Sequence, residues 1–208
     1  SFPAQHPEAA NALLKTLEEP RKNVCFVLLA ERPDRLLVTI RSRCQSLRFG
    51  RLPRPVLEHV LESAGIHESL HGPAIALSDG RADRLLALCE GGLAKSLLER
   101  ALRIDAAVTR GDTGRLIELS EELAKSDDLL LTFDALATYY RDVAATSLGI
   151  PRDRLYFDDQ SGELRERAQK LGAKKAAERV QKIGTLADLL ARNANPQITL
   201  DRLLLELR

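Results

Sequence analysis

The sequence has 208 residues, with 31 Lys plus Arg against 30 Asp plus Glu, and the net charge of +1 excludes a global electrostatic pull toward nucleic acid or an anionic membrane. Three cysteines, Cys25, Cys44 and Cys89, stand apart without CxxC spacing; their odd number argues against a disulfide framework, and reduced thiols fit a cytoplasmic protein. His6, His59, His67 and His71 lack zinc-ligand spacing, and no apolar run approaches the roughly 20 residues that span a bilayer, so neither a metal site nor a membrane segment is expected.

Ala9 to Pro20 reads AANALLKTLEEP. Ala10, Leu13, Leu14 and Leu17 recur at helical spacing with Lys15, Glu18 and Glu19 between them, which predicts an amphipathic helix ended by Pro20. Val24 to Leu29, VCFVLL, is an apolar run rich in β-formers and bounded by polar residues and Pro33; it reads as a strand buried on both faces. Asp34 to Ile40 predicts a short helical turn, after which Arg41-Ser42-Arg43-Cys44 leads into Ser46 to Phe49, a second strand. Helix, strand, short helix, strand is a piece of α/β architecture.

Beyond Gly50 the pattern becomes helical. Pro53 and Pro55 mark a boundary; Val56, Val60 and Leu61, then Ala74 to Leu77, then Leu85, Leu86, Leu88, Leu97 and Leu98 predict three to four short helices ending near Arg110. Thr109 to Gly114 reads as a turn or linker. Leu116, Leu119 and Leu123, and then Leu130, Phe133, Leu136, Ala137 and Tyr140, keep helical spacing up to a break at Gly149-Ile150-Pro151. After the polar loop from Asp158 to Gly162, Leu164, Ala168 and Leu171 open a helix, followed by helices from Ala173 to Arg192 and from Pro196 to Leu207. Arg165, Arg167, Lys170, Lys174, Lys175, Arg179 and Lys182 form a basic cluster, but Glu163, Glu166 and Glu178 interrupt it and no aromatic residue stands among them to stack on bases. It therefore reads as a solvated helix face rather than a DNA site. Tyr139 and Tyr140 read as core or interface residues, one on each side of a helix.

Ala9 to Phe49 resembles the second half of the nucleotide-binding core of bacterial DNA polymerase III clamp-loader subunits, members of the AAA+ superfamily. The resemblance rests on AANALLKTLEEP, the apolar run after it, and TIRSRC from Thr39 to Cys44, met in that order. It implies that Arg43 reaches across a subunit boundary toward the γ-phosphate of ATP bound by a neighbour. A guanidinium suits that task because it is permanently charged and offers phosphate oxygens a rigid fork of donors. Ser42 and Cys44 complete the motif as turn and packing residues; Arg41 reads as a surface arginine.

Two departures separate the chain from the ATP-hydrolysing tau/gamma type. Aligned from the Ser-Arg-Cys motif, Ala30 stands where those subunits carry a Thr that senses the γ-phosphate, and a methyl cannot hydrogen-bond phosphate. Gly91 to Leu97 resembles their Gly-Ser-x-Arg-x-Ala-Leu pattern, but Ala94 stands where the Arg would be, and the adjacent Lys95 points about 100° away on a helix. Both departures point to the non-hydrolysing delta-prime type. The sequence contains no phosphate loop and no methionine, so the expectation is a piece lacking the front half of the core.

The fold implied is mainly α: residues 1–50 the C-terminal remnant of the AAA+ α/β core, 51–110 a small helical lid, and 111–208 an all-helical collar that mediates oligomerisation. The resemblance further implies a subunit of the polymerase holoenzyme that is not itself catalytic, with no cofactor in this fragment because the neighbouring subunit binds the ATP. Its partners would be the tau/gamma and delta subunits through the collar, and the sliding clamp and primed DNA through the complex. The alternatives are an ATP-hydrolysing tau/gamma subunit and a helical scaffold unrelated to replication.

Overall fold

A computed structural model describes Leu14, Leu17 and residues 23–30, 33–157 and 161–208, and the chain divides into two units, residues 1–50 and 51–208. In the first unit Leu14 and Leu17 are helical and half-buried, in keeping with the apolar spacing; the remainder of the expected helix over residues 9–20 lies outside the described residues. The expected strands are not formed. Residues 24–29 and 46–49 have no regular structure, and Val27, Leu29 and Phe49 are 79%, 90% and 94% exposed. A strand persists only where its N–H and C=O groups pair with another strand, and the described residues contain none to pair with. Pro33–Arg35 form a 3₁₀ turn and Val38–Arg41 a short helix, α1, at the expected helical turn.

The second unit is helical throughout its regular structure. Pro55 sits in the first turn of α2 (Arg54–Ser63), where its missing N–H would have had no helical partner, and the extended Pro53 starts it. Helix α3 (His71–Ser78) buries Ala74 to Ser78 and ends through two left-handed residues, Asp79 at φ 53° and Gly80 at φ 74°. The Gly80 carbonyl accepts the Leu52 N–H at 2.8 Å, and a Cβ on Gly80 would lie 2.6 Å from Arg51 Cβ and 3.1 Å from Arg51 Cα. Gly80→Ala therefore combines left-handed strain with a clash against backbone. It is expected to destabilise this unit by about 2–4 kcal/mol, read as a lower urea midpoint.

Helix α4 (Ala82–Cys89) leads into α5 (Leu93–Arg110), which Gly111 ends in the left-handed conformation at φ 68°. The Asp112 carboxylate accepts the Arg115 N–H at 3.1 Å and so caps α6 (Thr113–Leu123). The long α7 (Leu129–Ser147), α8 (Ser161–Leu171), α9 (Ala173–Ala191) and α10 (Pro196–Leu207) follow, and α9 packs along α7 more extensively than any other pair of helices. One apolar core runs from Leu57 to Leu207, with Phe133, Leu136, Ile104, Leu164 and Ile183 at its centre. Burying a side chain of that size contributes about 1.5–3 kcal/mol.

Asp105, on the buried face of α5, joins four helices. Its carboxylate accepts the Tyr140 hydroxyl at 2.6 Å, the Tyr139 hydroxyl at 3.3 Å, and Arg167 from α8 at 2.8 Å and 3.0 Å; Arg179 from α9 stands at 3.5 Å. Burial and the neighbouring Asp105 charge push both tyrosine hydroxyls far above their ordinary range, so they remain protonated donors. Arg179 also donates to the Tyr140 oxygen at 2.8 Å and to the Leu207 carbonyl, while Lys182 reaches the Glu206 carbonyl at 2.6 Å. Two cations thus meet the negative end of α10.

Asp142 on α7, 1% exposed, holds the loop before α8: one carboxylate oxygen accepts the Tyr156 and Phe157 N–H groups at 2.7 Å and 2.9 Å, and the other accepts Arg141 at 3.0 Å. Asp142→Ala leaves two backbone donors without an acceptor and is expected to cost about 2–4 kcal/mol in chemical denaturation. Burial holds the Asp142 carboxyl above its ordinary value of 3.8 despite these donors. The unfolded chain therefore releases this proton first, and the contribution of Asp142 is greatest below pH 3.8 and declines as pH rises through the folded value. Asp142→Asn keeps one acceptor for both N–H groups and should remove that decline from the stability-against-pH curve.

Candidate functional site

The Ser-Arg-Cys segment forms the turn that closes α1. The Ser42 N–H donates to the Val38 carbonyl at 2.9 Å, the Arg43 N–H to Ile40 at 3.1 Å and the Cys44 N–H to Arg41 at 3.3 Å, so the chain turns off the helix in one tight step. Ile40, 2% exposed, anchors the turn, while Arg41, Ser42 and Arg43 are exposed and Cys44 is half-buried. The Ser42 hydroxyl donates to the Thr39 carbonyl at 3.1 Å; the Arg43 guanidinium donates to the same carbonyl at 3.0 Å and to Ser42 Oγ at 3.5 Å. The Thr39 carbonyl and the Ser42 hydroxyl are neutral, solvent-exposed groups, which an anion of full charge outcompetes for a guanidinium.

Ala30 is exposed and presents only a methyl group. Ala94, in the first turn of α5, is 1% exposed and packed in the core, so it offers a ligand nothing; Lys95 beside it is exposed. No group of three or more His, Cys, Asp or Glu side chains arranged to hold a metal occurs among the described residues. His59 lies 3.9 Å from Glu62, His67 Nδ1 accepts the Ser69 N–H at 3.3 Å, and His71 Nε2 donates to the Ile66 carbonyl at 2.9 Å; His6 lies outside the described residues. Among the described residues no helix is long and apolar enough to cross a membrane.

The basic cluster of the C-terminal helices divides in two. Arg165, Lys170, Lys174, Lys175 and Lys182 are exposed, as a solvated face requires, but Arg167 and Arg179 are only 11% and 12% exposed and belong to the Asp105 network. Tyr139 and Tyr140 are both buried, though not on opposite sides of α7: their rings are 5.4 Å apart and converge on one carboxylate. Asp105 itself escaped the sequence reading. The available signal was an acid on the apolar stripe formed by Ala101, Ile104 and Val108.

The family described as DNA polymerase III, delta subunit, matches residues 4–53, and that described as DNA polymerase III, delta subunit, C terminal, matches residues 95–208. The second match spans more than half of the chain, which belongs to this helical C-terminal family of DNA polymerase III delta subunits. The chain is 27% identical over 216 residues to DNA polymerase III subunit delta' of Bacillus subtilis, covering 96% of the chain and 61% of that protein. It is 33% identical over 153 residues to subunit delta' of Escherichia coli (69% and 44% covered) and 29% identical over 142 residues to subunit tau of Bacillus subtilis (67% and 22%). By these likenesses it is a delta-prime-like clamp-loader subunit, and it spans 61% or less of the length of these relatives.

Proposed function

We propose that this chain serves the clamp loader as a non-hydrolysing stator that lends Arg43 to the ATP site of a neighbouring subunit. The observation that carries the reading is the Arg43 turn: a permanently charged side chain exposed at the end of α1 within Ser42-Arg43-Cys44, held by the Thr39 carbonyl and the Ser42 hydroxyl. Ala30 and the buried Ala94 support the non-hydrolysing half of the proposal, since neither has a polar side chain with which to contact a nucleotide phosphate.

In this reading residues 1–50 belong to an AAA+ core, 51–110 to a lid and 111–208 to a collar. The collar joins tau/gamma and delta subunits in a cytoplasmic complex, and ATP bound by the neighbour drives loading of the sliding clamp onto primed DNA. Arg43 then supplies charge to the phosphoryl-transfer transition state from outside the subunit that binds ATP. The likeness to tau keeps an ATP-hydrolysing subunit as the second reading, against which Ala94 counts. ATP hydrolysis by the reconstituted loader, with Arg43→Ala against wild type and assembly followed by gel filtration, tests the proposal. An unchanged rate in an intact complex overturns it.

A further inference from the structure

We propose that a groove where α7, α8 and α9 meet is a docking site for an acidic peptide segment of a partner protein, its carboxylates received by Arg152 and Arg165 and its aliphatic side chains by Ile150 and Pro151. The groove has a volume of about 760 Å³, within the range of sites that enclose several side chains. Arg152 comes from the 3₁₀ turn Arg152–Arg154 and Arg165 from α8; both are exposed, and neither side chain makes a hydrogen bond or ion pair among the described residues. Some exposed arginines of the helical unit find carboxylates, as Arg103 meets Glu122 at 2.7 Å, Arg115 meets Glu118 at 2.7 Å and Arg202 meets Glu206 at 2.6 Å, while Arg110, Arg154 and Arg192 share the unpaired state among the described residues but do not line a groove with a second arginine.

Charge complementarity sets the occupant. No acidic residue among the described ones lines this groove; the N-terminal end of α9 at Ala173 is offset by the C-terminal ends of α7 and α8, which line it too, so the positive charge of its wall comes from the two arginines. A second groove of equal volume behaves differently: Arg54 and Lys95 share it with Glu58, Glu62 and Glu68, so it is internally compensated. The walls favour a peptide over a nucleic acid. Ile150 is 39% exposed on the groove beside Pro151, and no aromatic side chain lines it to stack on a base. Two arginines suit a pair of carboxylates, whereas a nucleic-acid backbone calls for a longer basic track.

The probe is a fluorescein-labelled peptide alternating glutamate and leucine, titrated with the full chain and read by anisotropy at low and high salt. Saturable, salt-sensitive binding is expected. It should fall about tenfold or more when Arg152→Glu and Arg165→Glu are combined, fall again with Ile150→Asp, and stay unchanged with Lys95→Glu in the second groove. Circular dichroism confirms that these exposed substitutions leave the fold intact. Absence of saturable binding, binding indifferent to all three groove substitutions, or tighter arginine-dependent binding of an oligothymidylate would each overturn the proposal. The assay involves no ATP, so its failure is distinct from failure of the Arg43 reading.

Discussion

Arg43→Ala is expected to lower ATP hydrolysis by the assembled clamp loader on the order of 10³-fold while leaving the complex intact. The size follows from the chemistry of the transition state. Charge spreads over the equatorial oxygens of the transferring phosphoryl group, and a guanidinium delivered from the neighbour offsets it in a site from which water is excluded. The selectivity follows from the geometry. Arg43 is exposed, and its hydrogen bonds to Thr39 and Ser42 lie within the same turn, so losing those two bonds should change stability by no more than about 0.5 kcal/mol. Arg43→Lys should recover little, because an ammonium carries the charge without the planar fork. Arg41→Ala, on the same exposed turn, is the control and should hydrolyse ATP as wild type does.

Asp105→Ala is expected to destabilise the helical unit by about 3–5 kcal/mol, measured by urea denaturation of the chain. The substitution strands Arg167, which is 11% exposed, removes the carboxylate from beside Arg179, which keeps the Tyr140 oxygen and the Leu207 carbonyl, and leaves the Tyr139 and Tyr140 hydroxyls without their acceptor. Most of the cost lies in the buried charges that remain. Adding Arg167→Met to Asp105→Ala should therefore restore part of the loss, and a double-mutant cycle between the two positions should show strong coupling. Additive effects would mean that the carboxylate and the guanidinium stabilise the unit independently, contrary to the geometry.

The helical part of the fold was legible wherever punctuation is local. Gly111 ends α5 immediately after Arg110, Asn195 and Pro196 start α10, and Ala173 starts α9 after Gly172, so each boundary is set by residues that neighbour it in sequence. Residues 24–29 show the opposite case. Their composition favours a strand, but a strand requires pairing at a distance that no local pattern supplies. The same limit explains the basic cluster: spacing places Arg167 and Arg179 among lysines, and only the packing of α5 against α7, α8 and α9 shows that both turn inward to Asp105. For the candidate site, the Ser-Arg-Cys string singled out Arg43, but not the exposed turn or the Thr39 carbonyl that holds its side chain.

The Asp105 network also bears on how this chain folds as it is synthesised. The partners of Asp105 lie from 34 to 74 residues further along the chain, so its carboxylate gains the tyrosine hydroxyls with α7 and the guanidiniums only with α8 and α9. Until then α5 carries an acid in the middle of its apolar stripe, which disfavours premature burial of that stripe against incomplete neighbours. Burial of α5 around Asp105 therefore favours a chain that already carries α8 and α9, whose guanidiniums compensate the acid.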